Sequence, residues 1–439
     1  MSSFASGETG ETTERKRLFT TFAYLVAKQG ATAVLGLGYW LIATRLFAAR
    51  DVGLVAAASS AASFLGAVGV LGIPVLLLAE LNSVEAATRR VIFTTGIAIA
   101  CFVVFLLSVV ALALSSALGK SLTIIGHDPV TAGFFVVGAV ATVATITFDN
   151  TAIGLHRGSA QLTRGTLGAV LKPACVGLLV LFGVRTSAGL LFAWSSALVV
   201  SVVVCVPMLR LKATRSGEGS LRNRAALTRR YGMLSLNHHV LNLSINSISY
   251  IVPLTAALLI APKQVAYFTT AFLLSATVLI IPYLLALALF AEKADDEELL
   301  HRHVRRTLPF GLAICTAIVL VVELVAPFAL HIFGPAYAQN GSTALRLLIL
   351  VGPSYVIKDH YVAIRRAQRR LSDAARIMAL GTSAEAAGAV VGAALGGMTG
   401  LCIGWAIAAS GEAILLSPAV MKVFRKAPVA TSADAEEHG

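Results

Sequence analysis

Apolar tracts long enough to cross a bilayer recur along almost the whole chain, and no other feature constrains the fold so tightly. A helix needs about 20 consecutive apolar residues to span the hydrocarbon core. Twelve such tracts occur, at roughly 18–44, 52–79, 91–117, 130–153, 166–184, 188–209, 234–260, 265–290, 308–331, 345–363, 374–397 and 399–423. Several are long enough to imply tilt or an extension beyond the bilayer. A mean hydropathy of +0.82, with 57% hydrophobic and 13% charged residues, is incompatible with a water-soluble domain of 439 residues. The first seventeen residues are polar and no small-residue cleavage site closes a short apolar core, so no signal peptide is expected. The expected fold class is an all-α polytopic membrane protein.

The net charge of +13 invites a nucleic-acid partner, but its distribution argues for none. With a cytosolic N-terminus, 26 of the 35 Lys and Arg residues fall in inside segments, five in outside loops (Arg45, Arg50, Lys120, Arg185, Lys263) and four within tracts. Arg164 counts with the inside loops. This is the bias of basic residues towards the cytosolic side, and it places both termini in the cytosol.

Residues 210–230 hold seven basic residues against Glu218 alone and separate two long apolar halves. The expected organisation is a tail over 1–17, a first lobe over 18–209, a basic cytosolic linker over 210–233, a second lobe over 234–424 and a tail over 425–439. The halves echo each other. Val52-Gly53 matches Val265-Ala266, Ile124-Ile125-Gly126 matches Ile332-Phe333-Gly334, and Ala152-Ile153 matches Ala363-Ile364, at offsets of 213, 208 and 211 residues. Six spans per half is an even number, so the repeats share orientation and are related by an axis along the membrane normal, an arrangement common in transporters.

Other features read as structure. The five cysteines lie within tracts without ligand spacing and serve as small hydrophobes. The run Glu292–Arg306 passes from acidic to basic and is expected to form a solvated helical extension rather than a metal site. Gly388, Gly392 and Gly396 recur every four residues, which lets another backbone come close. Pro282 and Pro353 loosen hydrogen bonding where helices bend.

Three segments carry a family resemblance: Arg45-Leu46-Phe47 with Val52-Gly53, then Phe333-Gly334-Pro335-Ala336-Tyr337-Ala338 with the Leu-rich 344–350, and Tyr361 with Arg365-Arg366-Ala367-Gln368-Arg369. Over roughly residues 15–425 the chain resembles the polysaccharide-exporter branch of the multidrug/oligosaccharidyl-lipid/polysaccharide (MOP) flippase superfamily, and within it the Wzx-type flippases. The resemblance implies twelve transmembrane helices in two pseudo-symmetric six-helix lobes, V-shaped and MATE-like. It also implies export of an isoprenyl-pyrophosphate-linked oligosaccharide from the inner to the outer leaflet of the plasma membrane by alternating access. Lipid II flippases of the superfamily usually have fourteen helices, and twelve tracts argue against that branch.

A charge at the bilayer centre costs about 2.5–3.5 kcal/mol on insertion scales, so intramembrane charges face a cavity or a partner. Lys28 is therefore expected to meet the pyrophosphate, a buried pair with a carboxylate being its alternative. Lys172 and Lys358 line the cavity or snorkel to the inner headgroups, and Asn237 and Asn242 line the cavity or hold helices together. Glu385, Glu412 and Glu323 are the candidates for coupling to H+ or Na+, with interhelical bonding or pairing to Lys358 as the alternative. No cofactor and no metal is expected. The resemblance implies the lipid-linked glycan, membrane lipids, and polysaccharide polymerase or assembly proteins as the expected partners. A MATE-type cation-coupled drug exporter is the rival; it would want an acidic cavity, whereas the first lobe offers Lys28 and Lys172 against Asp149. A membrane-bound polymerase or glycosyltransferase would need large polar loops that the sequence lacks.

Overall fold

A computed structural model of the chain describes residues 36–81, 86–211, 248–290, 297–368 and 370–425, together with His239 and Leu243, with the backbone alone at 79, 80, 86, 87, 281–290, 297, 299 and 371. Lys28, Asn237, Asn242 and most of the basic linker lie outside the described residues. The described chain is helical. Helix α1 covers 36–46, followed by α2 (Ala49–Gly69), α3 (Ile73–Glu80), α4 (Ala86–Ala113), α5 (Ser115–Leu118), α6 (Lys120–His127), α7 (Pro129–Gly154), α8 (Gly158–Leu181) and α9 (Ser187–Cys205). The second half contains α10 (Ile248–Leu259), α11 (Pro262–Phe290), α12 (Glu297–His331), α13 (Pro335–Ile349), α14 (Gly352–Ala367) and α15 (Leu371–Arg425).

Nine helices among the described residues are long and apolar enough to cross a membrane. One of these, α15, doubles back at Gly396 and Gly397 and forms two antiparallel legs, 371–395 and 398–425. With α1 and α10, the described parts of two more spans, this makes the twelve-helix, two-lobe architecture expected from the tracts. The protein is a multi-pass membrane protein. Its lipid-facing side chains confirm the solvent: Leu181, Phe182, Leu324, Phe328, Leu395 and Leu415 are among its most exposed residues, a surface that water would not tolerate.

Local chemistry sets the breaks. In the second span Leu71 and Gly72 adopt positive φ, and Pro74 restarts the chain as α3. The tenth span breaks between α13 and α14, where Pro353 sits in the first turn of the new helix and gives up an N–H that would have no partner there anyway. Asp128 caps α7 by accepting the Val130 and Thr131 N–H groups at 3.3 and 3.2 Å, and Pro129 follows at the first helical position.

Three expectations are corrected. The fifth span starts at Gly158 instead of about 166, so Arg164 belongs to α8 and not to a loop. Gly126 lies inside α6, whereas Gly334 precedes α13. The backbone counterpart of Gly334 (φ 136, ψ 156) is Gly119 (φ 132, ψ 162), which precedes α6. Gly388 and Gly392 do meet a backbone, that of Gly404 and Gly400 on the other leg, but Gly396 stands at the turn and touches nothing. The acidic-to-basic run is helical from Glu297, with Arg302 paired to Glu298 at 3.2 Å one turn away.

The repeat is clear in the helix starts. Ala49 and Pro262 open α2 and α11, and Gly158 and Leu371 open α8 and α15, both at an offset of 213 residues. Helix α2 packs against α11 at the end that the charge bias assigns to the outside, called outer below. Gly53 lies against Pro262 and Ala266, its own counterpart. Equivalent positions touching each other are what a two-fold axis requires. Arg45 seals the same end: it donates to the carbonyls of Ile332 and His331 at 2.7 and 2.9 Å, the orphan acceptors at the C-terminus of α12. Tyr267, Phe333 and Tyr337 of the second lobe share an apolar cluster with Tyr39 and Phe47 of the first. At the inner end the second lobe has a core of its own, built from Val304, Tyr361, Ala374 and Val420 among others.

Candidate functional site

Within the second lobe, α14 faces both legs of α15, and Lys358 projects between them. Its ammonium contacts Glu385 on the first leg and lies 2.7 Å from Glu412 Oε2 on the second. All three residues are buried, Lys358 at 6% exposure and Glu385 at 0%. The remaining oxygen of Glu385 accepts from Trp405 Nε1 at 2.7 Å and from the Tyr355 hydroxyl at 3.2 Å. Tyr355 also presents its ring to the Lys358 ammonium, 4.7 Å from the centroid. Asp359, half-buried, adds a further carboxylate within Coulombic range of Lys358. Two residues after Lys358, His360 meets Thr307 Oγ1 of α12 at 2.7 Å.

Of the residues singled out in the sequence, Lys358, Glu385 and Glu412 therefore come together in one cluster. Lys358 does not snorkel. Glu323 is elsewhere: near the outer end, half-exposed, it pairs with Arg346 at 3.6 Å, and Arg346 also donates to its carbonyl at 3.0 Å.

In the first lobe Arg164 grips Asp149 with two hydrogen bonds of 2.6 and 2.7 Å between α8 and α7. Lys172 follows on the same helix, between Gly168 and Val176, which are buried against the lobe. The register of the repeat identifies its counterpart. An added Cβ at Gly168 would meet Ser201, and one at Gly381 would meet Glu412. Gly168 and Gly381 stand 213 residues apart, Ser201 and Glu412 211, Trp194 and Trp405 211. The same alignment pairs Lys172 with Glu385. Equivalent interior positions of the two lobes thus carry opposite charge.

Trp405, Tyr355 and the Asp149–Arg164 pair were not anticipated from the sequence. One signal was there: Trp194 with Ser201, and Trp405 with Glu412, share a spacing of seven residues. The other two carry none, because they are contacts between helices.

No protein-family model matches the chain, and no curated protein sequence does. Solved structures do. The lipid II flippase MurJ in its inward closed conformation is similar with a TM-score of 0.69 at 10% identity, over 93% of this chain and 89% of its own. An inward-facing multidrug resistance MATE family transporter of the MOP superfamily gives 0.64 at 16% identity, over 92% and 96%. A MOP superfamily transporter from Pyrococcus furiosus gives 0.51 at 15% identity, over 92% and 96%. The chain has the fold of these transporters and flippases.

Proposed function

We propose that the chain is a flippase that moves an isoprenyl-pyrophosphate-linked oligosaccharide from the inner to the outer leaflet of the plasma membrane by alternating access between its lobes. The observation that carries this reading is the division of charge inside the two lobes. In the first, Lys172 and Arg164 outnumber Asp149; in the second, Glu385, Glu412 and Asp359 outnumber Lys358. A pyrophosphate needs cations on its path, and a coupling ion needs acids. The outer seal at Gly53 and Arg45 supports a state open towards the inside, where such a substrate is made.

In this reading Lys172 contacts the headgroup with Lys28, and Asn237 and Asn242 complete the cavity wall. Glu385 and Glu412 couple the lobes to an ion gradient, H+ or Na+. Both termini and the linker face the cytosol, where polysaccharide polymerase or assembly proteins have access. Resemblance to Wzx-type flippases and similarity in fold to a lipid II flippase support the lipid-linked substrate. The acidic second lobe favours a second reading, a MATE-type cation-coupled exporter.

The test is reconstitution of the full chain in liposomes with a fluorescent isoprenyl-pyrophosphate-linked oligosaccharide, scored by glycosidase access at the far leaflet. Translocation that falls at least tenfold in Lys28→Ala and Lys172→Ala, with insertion verified, is the expected result. Efflux of a cationic dye without glycan translocation would replace this reading with the exporter.

A further inference from the structure

Which ion the second lobe takes is written in the charge count around Lys358. Two buried carboxylates, Glu385 and Glu412, share one ammonium. Trp405 and Tyr355 supply neutral donors to Glu385. Glu412 meets no hydrogen-bond donor among the described residues besides the Lys358 ammonium, 2.7 Å from its Oε2. Both carboxylates are held against the same ammonium. Two carboxylates gathered in one buried site do not both ionise beside a single cation.

Neighbouring elements do not remove the surplus. On α14, Asp359 deepens it, and His360 is engaged by Thr307 of α12 and by the Val356 carbonyl at 2.8 Å. On α12, His303 is buried nearer the inner end, and Glu323 is taken up with Arg346 of α13. On α10, Tyr250 is the titratable group among the described residues, and α11 carries Lys263 and Tyr267 at its outer end and Tyr283 in the stretch described by its backbone alone. The two legs of α15 contribute the glutamates themselves.

We propose that Lys358, Glu385 and Glu412 form a proton site that excludes metal cations: the tethered ammonium fills the place a sodium ion would take between the carboxylates, and the Glu385–Glu412 pair holds one exchangeable proton. This rests on the reading of the chain as an ion-coupled transporter and decides between its two ions. Loading is a plain protonation of carboxylate to carboxylic acid, and unloading returns the proton to water.

The Trp405 indole reports on the site through its bond to Glu385. In the full chain carrying Trp40→Phe and Trp194→Phe, reconstituted in liposomes without any cargo, Trp405 fluorescence is titrated with pH in potassium and in sodium buffers. The expected signal follows pH and is the same in both. In a background that also carries Asp359→Asn, the nearly isosteric Glu412→Gln should abolish the pH response, since one carboxylate then balances one ammonium. Lys358→Met should make the fluorescence respond to sodium at constant pH. A sodium response in the parent, or a pH response that survives Glu412→Gln in that background, overturns the proposal. Should Lys358→Met fail to insert, the glutamine variant and the parent still decide. No cargo is present, so failure here is distinct from failure of the glycan assay.

Discussion

Arg164 and Asp149 show what a single pair can cost. Each is mostly buried, with side-chain exposures of 13% and 23%, and the bidentate geometry leaves little room for water to replace a missing partner. Removing one member strands the other charge, which in buried pairs costs about 3–5 kcal/mol. Asp149→Asn should therefore lower the thermal unfolding midpoint of the solubilised protein sharply, and Asp149→Asn combined with Arg164→Gln should recover most of the loss. Glu323 is the opposite case. It and Arg346 are each more than a third exposed, and such pairs contribute about 0–1 kcal/mol. Glu323→Gln should leave stability and the response to an ion gradient near the parent's, as measured by unfolding and by uptake into liposomes. From the sequence the two acids looked alike, each an isolated charge in an apolar tract. What separates them is the partner, and the partner sits on another helix.

At the scale of the element, the hairpin of α15 depends on backbone meeting backbone. Gly388 faces the Gly404 carbonyl and Gly392 the Gly400 carbonyl, with room for hydrogen only. Gly392→Ala must push the legs apart, and overpacking of this kind costs about 1–3 kcal/mol. Since the legs carry Glu385 and Glu412, separating them should also disturb the contacts of Lys358. Gly396→Ala meets nothing within 4 Å and has a negative φ of −139°, so it should be close to neutral. Unfolding of the two variants side by side checks the contrast. The four-residue spacing announced the close approach but gave no means of telling the two contact positions from the turn. A hairpin must reverse somewhere, and a run of glycines satisfies both demands with the same residue type.

At the scale of the molecule, the lobes meet at their outer ends around a pseudo-two-fold contact between Gly53 and Ala266, flanked by Arg45 on the carbonyls of α12. Both features stabilise the outer-closed arrangement. Arg45→Ala leaves two carbonyls at the end of α12 without their donor, and Gly53→Ala places a methyl group on the Pro262 carbonyl. Each should shift the population towards separated outer ends. A cysteine at Ala266, buried in the closed state at 0% exposure, should react faster with an impermeant maleimide in either background than in the parent. Unchanged labelling in both would mean that the outer contact does not hold the lobes together. The segment around Arg45 that carries the family resemblance thus has a physical task, to join one lobe to the other.

The sequence by itself determined the solvent, the number of spans and the duplication, because transfer into a bilayer depends on composition over twenty residues and hardly on what those residues touch. Only the tertiary structure decided which intramembrane charges meet. In a soluble helix the apolar stripe marks the buried face; here lipid and protein interior are both apolar, so the pattern does not say which way Lys172, Lys358 or Glu385 points. Twenty-seven residues of chain separate Lys358 from Glu385, and another twenty-seven separate Glu385 from Glu412. Their meeting is set by how α14 and the two legs of α15 turn about their axes when they pack.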